Sequence, residues 1–177
     1  VLMPAIPGGA TREVYVNLSI PAGADVQQVI WEVWFTDASS SSTGEKGRLT
    51  MDVAVSEQFG VSLTSAVSLN AGDIGPGESI AVPFRLQNSG NKDAAFNLAT
   101  TFSEDGWLAL IENETGVSQS LPITLNRGEY DNYILNITAP SDASPGTVSF
   151  NLRATCGSCG ALFGNDVLVR NLEVPVF

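Results

Sequence analysis

Thr147-Val148-Ser149-Phe150-Asn151-Leu152-Arg153-Ala154-Thr155 alternates apolar and polar side chains without a break. Val148, Phe150, Leu152 and Ala154 fall on one face, and Ser149, Asn151, Arg153 and Thr155 on the other. Period 2 is the pattern of a strand in an antiparallel sheet with one face buried. Val29-Ile30-Trp31-Glu32-Val33-Trp34-Phe35 carries the same pattern, with Val29, Trp31, Val33 and Phe35 inward. The two stretches superpose in phase when residues 1–57 are moved forward 119 positions onto 120–176. No gap is needed: Gly9 meets Gly128, Asn17 meets Asn136, Pro21 meets Pro140, Leu49 meets Leu168 and Val55 meets Val174. A fixed period of about a domain's length marks tandem modules. The chain therefore reads as the C-terminal half of one module, 1–57, followed by a complete module, 58–177.

Strand signals continue through the whole module, and no helical period is found. Turn residues separate Phe59–Leu69, Ser79–Gln87, Ala94–Phe102, Trp107–Ile111, Ser118–Leu125, Tyr130–Ala139, Thr147–Thr155 and Asp166–Val176. About eight short strands with turns every dozen residues or so predict an antiparallel β-sandwich. Trp107 is expected between its sheets. The first half holds only the last three or four strands, so Trp31, Val33 and Phe35 lack an opposing layer. Strands upstream in a longer parent chain, another subunit, or packing onto the whole module could supply one. The first is the expectation here, since Val1 and Phe177 read as cut ends.

The bulk numbers narrow the function classes. Among 177 residues, 44% are hydrophobic, enough for a core. Asp and Glu number 19 against 8 Lys and Arg, a net charge of −11. Such a surface repels phosphate backbones and anionic headgroups, which argues against nucleic acid and membrane-surface partners. No apolar run approaches the roughly 20 residues of a membrane-spanning helix. Histidine is absent, which removes the commonest general base and zinc ligand. No nucleophile elbow or phosphate-cradling glycine loop accompanies the many serines. The chain is expected not to be an enzyme.

Several turn and core motifs of the whole module form a recognisable set. They are Gly77-Glu78-Ser79, Leu86-Gln87-Asn88-Ser89-Gly90-Asn91, Ala95-Phe96-Asn97-Leu98, Gly106-Trp107, Leu125-Asn126-Arg127-Gly128-Glu129, and Ile137-Thr138-Ala139-Pro140 with Gly146. Together they resemble the CARDB-type and alpha-galactosidase-associated immunoglobulin-like modules of bacterial and archaeal surface proteins. The resemblance covers 58–177, and 1–57 as the back half of the same pattern. It implies an all-β, immunoglobulin-like sandwich of seven or eight strands, often in tandem, extracellular, with structural or adhesive duties. It implies no catalytic residues.

Local features add candidate sites. Cys156-Gly157-Ser158-Cys159 sits at a hairpin mouth, where a small disulfide, a free thiol pair and a metal shared with another chain are the readings. Asp37 and Ser40 stand at the equivalent positions of the first half. N-x-S/T triplets mark Asn17, Asn113 and Asn136 as glycan acceptor candidates. The alternation aims Ile30 and Trp34 away from the half-module's core, as an intermodule contact, a sugar-stacking platform or a subunit interface. No metal or cofactor motif is found. Calcium held between modules by Glu104, Asp105 or Asp131 is weaker than a solvated acidic surface. The expected partners are neighbouring immunoglobulin-like modules of the same chain. The resulting function is a non-catalytic extracellular spacer or adhesion module. One alternative is a carbohydrate-binding accessory module using Trp34 or Phe163. The other is a self-assembling surface filament subunit completed by a neighbour's strands.

Overall fold

The computed structural model describes residues 6–21, 23–36, 45–157, 159 and 166–176. These fold as all-β structure in two compact units, Val1–Ser56 and Glu57–Phe177.

The second unit is an immunoglobulin-like β-sandwich. Its strands are β3 (Val61–Thr64), β4 (Asn70–Asp73), β5 (Ser79–Asn88), β6 (Ala94–Phe102) and β7 (Leu108–Asn113). They continue with β8 (Ile123–Leu125), β9 (Tyr130–Thr138), β10 (Gly146–Cys156) and β11 (Asp166–Val174). One sheet has the order β3-β5-β9-β7, and the other β4-β11-β10-β6-β8. In immunoglobulin lettering these are A-B-E-D, and C-F-G formed by β6, β10 and β11. Strand β8 is added beside β6, and β4 runs parallel to β11.

Two sequence expectations need correction. Phe59–Leu69 is not one strand: the chain leaves β3 and enters β4 in the opposite sheet, turning where the Ser65 hydroxyl accepts from Val67 N–H and donates to the Pro83 carbonyl. Ser118–Leu125 shrinks to β8, because Pro122 has no N–H to donate to a ladder.

The core follows the alternation. Val82, Phe84 and Leu86 of β5, and Tyr133, Leu135 and Ile137 of β9, face Phe96, Leu98, Val148, Phe150, Leu152 and Leu172. Trp107 is buried between the sheets, stacked on Phe102 with centroids 5.8 Å apart. Asn88 is the polar exception. Its Nδ2 donates to the carbonyls of Lys92 (2.8 Å), Leu125 (3.2 Å) and Asn126 (3.2 Å). Its Oδ1 accepts from Gly90 N–H at 3.0 Å. Asn91 closes the same corner by accepting from Gln58 N–H at 2.7 Å. Gly90 is required there, since a Cβ would collide with the Gln58 carbonyl.

Tyr133 gives the sandwich an alkaline limit. Burial pushes its phenol up to about 12, helped by the Asp131 and Glu129 carboxylates, and its hydroxyl donates to Asp131 at 3.2 Å. Above pH 10 the unfolded chain releases this proton while the folded one retains it. The stabilisation is complete below pH 10 and is lost as the pH rises to about 12. Tyr133→Phe should therefore flatten the fall in stability over that window by about 2 to 3 kcal/mol, measured by urea unfolding at stepped pH. An unchanged slope would refute the assignment.

The first unit contains a single hairpin among its described residues, β1 (Gln27–Thr36) with β2 (Glu45–Val55). Its register runs from Gln27↔Val55 to Val33↔Leu49. That of β10 with β11 runs from Gly146↔Val174 to Leu152↔Leu168, the same pairs 119 positions on. Turns repeat as well. Ala10 N–H donates to the Pro7 carbonyl as Glu129 does to Asn126, and Ala24 to Pro21 as Ala143 does to Pro140. Gly9 and Gly128 both take positive φ, 81° and 68°.

The expected three or four strands are not all present. Residues 11–20, counterpart of β9, form no strand. In the second unit β9 is held between β5 and β7, whereas residues 11–20 have no such neighbours among the described residues of their own unit. Without ladder partners a strand-competent segment has nothing to offset its ordering entropy.

Candidate functional site

The hairpin of the first unit presents two chemically different faces. Directly opposed residues of an antiparallel pair share a face. Val29 with Val53, Trp31 with Met51 and Val33 with Leu49 therefore build one apolar side, with Phe35 at its end. No described residue of this unit is buried, and Trp31 remains 38% exposed. The equivalent Val148, Phe150, Leu152 and Leu172 are all fully buried in the second unit. The outer edges of β1 and β2 pair with no strand among the described residues.

The opposite face carries Ile30 and Trp34, exposed at 63% and 54% as the alternation predicts. Arg48, across the ladder from Trp34, places its guanidinium 5.5 Å from the ring centroid and donates to Glu32 at 3.2 Å. The cation-π contact thus occupies one side of the indole. A ring stacking on Trp34 would use the other side or displace Arg48. Among the described residues this face holds no nucleophile paired with a base.

The remaining candidates are dispersed. Cys156 and Cys159 form a disulfide with Cα atoms 5.5 Å apart. Cys159 is buried against the core and Cys156 is half-buried. Phe163, Asp37 and Ser40 lie outside the described residues. A bridge closing so short a loop constrains the unfolded chain little, so Cys156→Ser with Cys159→Ser should cost about 2 kcal/mol or less. The shift in urea midpoint of the double variant checks this; loss of the fold would contradict it.

Asn17 is exposed outside any strand, and Asn136 is half-buried on the outer face of β9 between Ala81 and Leu110. Asn113 ends β7 in a tight turn, where its Oδ1 accepts from the N–H groups of Thr115 (3.1 Å) and Val117 (2.9 Å) and from the Thr115 hydroxyl (2.7 Å). Glu104 and Asp105 are exposed, and Asp131 is engaged by Asn132 N–H and the Tyr133 hydroxyl. Among the described residues no three acidic or thiol groups gather into a metal-binding cluster.

Sequence reasoning missed one further feature, a groove of about 560 Å³ on the outer side of β5 and β9, lined by Thr64, Arg85, Glu114 and Asn132. Arg85 is already committed there, donating to Asn132 at 3.2 Å and lying 4.2 Å over the Tyr130 ring. The groove depends on neighbouring strands, and only tertiary pairing brings those residues together.

No protein-family model and no curated protein matches the chain. Several solved structures are weakly similar to it. One is a family 123 glycoside hydrolase from Clostridium perfringens, with a TM-score of 0.46 and 14% identity over 68% of this chain and 28% of that one. Domains 4 and 5 of the S-layer protein SbsC give 0.40 and 11%, over 74% and 60%. A PapD-like domain of human CEP192 gives 0.39 and 12%, over 66% and 84%. The chain thus spans little more than a quarter of the hydrolase's length. At these scores none of the three bears on what this protein does.

Proposed function

We propose that this chain is a non-catalytic structural module of a larger extracellular or cell-surface protein, of the CARDB-type immunoglobulin-like kind, that spaces or presents its neighbours. The observation that carries this reading is the 119-residue repetition, maintained in sequence, in two turns and in the hairpin register. Repetition of a scaffold, with no reactive constellation repeated on it, is what a spacer needs. The Cys156–Cys159 disulfide supports an oxidising compartment. If the source organism also glycosylates outside the membrane, the triplets at Asn17, Asn113 and Asn136 are acceptor candidates, with Asn113 presented in a turn.

A spacer has no small ligand to stabilise it. The unfolding midpoint of the 1–177 chain should move by less than about 1 °C with millimolar calcium or with a panel of oligosaccharides, since ligand binding to the folded state raises stability by mass action. A midpoint raised by one oligosaccharide and restored by Trp34→Ala would establish the second reading, a carbohydrate-binding accessory module. The exposure of Trp34 is the observation that favours it. A rise with calcium would instead show that the folded chain binds calcium.

A further inference from the structure

The β1–β2 hairpin has the pairing register of β10–β11, and among the described residues no strand joins or covers it as β10–β11 are joined and covered. In the second unit that cover has two parts. Strand β6 adds antiparallel to the edge of β10, pairing Phe150 with Phe102, Leu152 with Thr100 and Ala154 with Leu98. The β3-β5-β9-β7 sheet closes over the apolar face. Among the described residues, the hairpin register and two turns of this unit repeat their counterparts, and the segment equivalent to β9 forms no strand. The missing parts are therefore specific. They are an alternating strand for the free edge of β1, and a sheet with a gap that residues 11–20 can enter between strands like β5 and β7.

We infer that this hairpin, with residues 11–20, is the docking surface for a five-stranded front half of a second immunoglobulin-like sandwich. The occupant has the chemistry of residues 57–119. Its strand equivalent to β6 pairs antiparallel along β1, opposite Trp31, Val33 and Phe35. Its strands equivalent to β5 and β7 flank residues 11–20. Val14, Val16, Leu18 and Ile20 alternate with Tyr15, Asn17 and Ser19, as an inserted strand with one inward face requires. A second copy of this chain does not fit the role, because its own β5, β6 and β7 are already paired within its complete sandwich. Complementarity also defines the occupant's shape. Phe35 stands where the second unit has Ala154, so the strand meeting it needs a smaller side chain than Leu98. The inference rests on the tandem-module reading for the kind of partner, and not on its extracellular spacer role.

The test joins a copy of residues 57–119 directly ahead of Val1, where the 119-residue equivalence leaves no linker to choose. Hydrogen exchange is followed by mass spectrometry over 27–36 in the 1–177 chain and in the extended chain. Amide protection of 27–36 should rise by about 100-fold on extension, since an uncovered hairpin opens locally and a sandwich strand does not. Protection of β10 should stay unchanged. The extended chain is also made with Phe35→Ala and Trp31→Phe, which return these positions to the residues that the borrowed strands accommodate. Unprotected 27–36 in both extended chains overturns the inference. So does protection of 27–36 in the 1–177 chain that appears together with a dimer mass in light scattering, which would make a second copy the occupant. Neither result depends on calcium or oligosaccharide binding, so this failure is separable from that of the functional reading.

Discussion

Asn88→Ala should destabilise the complete sandwich by about 3 to 5 kcal/mol, a large part of the 5–15 kcal/mol typical of a domain. The side chain is fully buried and makes four hydrogen bonds. Removing it takes the acceptor from the buried Gly90 N–H and one donor from each of the Lys92, Leu125 and Asn126 carbonyls, of which Asn126 still accepts from Glu129 N–H. Several unsatisfied groups in one low-dielectric corner cost more than a single lost bond. The corner also ties four separate segments together: 58–60, 88–92, 125–126 and 129. Asn88→Asp is as informative. It keeps the volume and the acceptor for Gly90, but it removes the donors and sets a carboxylate oxygen against three carbonyls. Urea unfolding followed by circular dichroism reads both variants. A cost below about 1 kcal/mol for Asn88→Ala would mean that water enters the corner and that its role as a clamp is wrong.

Phe150→Ala and Trp31→Ala should differ sharply although the two positions are equivalent in the repeat. Phe150 is wholly buried in the centre of the sandwich, in ring contact with Phe102. Truncation there removes a large apolar side chain and leaves a cavity, for about 3 to 5 kcal/mol. Trp31 lies on an apolar face where no described residue of its unit is buried, and it remains 38% exposed, so its loss should shift the unfolding transition by less than about 0.5 kcal/mol. A two-stranded hairpin alone is marginal, so it has little stability to lose. The pair is measured in one set of urea titrations on the 1–177 chain. A multi-kcal/mol cost at Trp31 would reveal that the hairpin face is covered in solution.

Much of this was legible in the sequence because it is local. The period-2 alternation of Thr147–Thr155 specifies a strand with one inward face, and Val148, Phe150, Leu152 and Ala154 are all fully buried. Gly106 and Gly128, which lie in the gaps between the strands read from alternation, take positive φ. Ile30 and Trp34 share the face opposite Val29, Trp31 and Val33, as the alternation requires, and are exposed. Other features needed partners distant in the chain. Residues 11–20 match β9 in pattern and still form no strand, because a ladder is a property of neighbouring strands. The break between β3 and β4 is invisible in an apolar run, since only the opposite sheet decides where the chain crosses. Asn88 read as a turn residue, and its role as a buried hub became apparent only once Lys92, Leu125 and Asn126 were brought around it.

The sequence by itself determined most of the strands, the turns between them and the 119-residue repeat, since alternation and turn chemistry act over a few residues. Tertiary structure alone decided which of the repeated strands acquire a core. The same pattern is buried where two sheets close over it and half-exposed where one hairpin stands without a second layer.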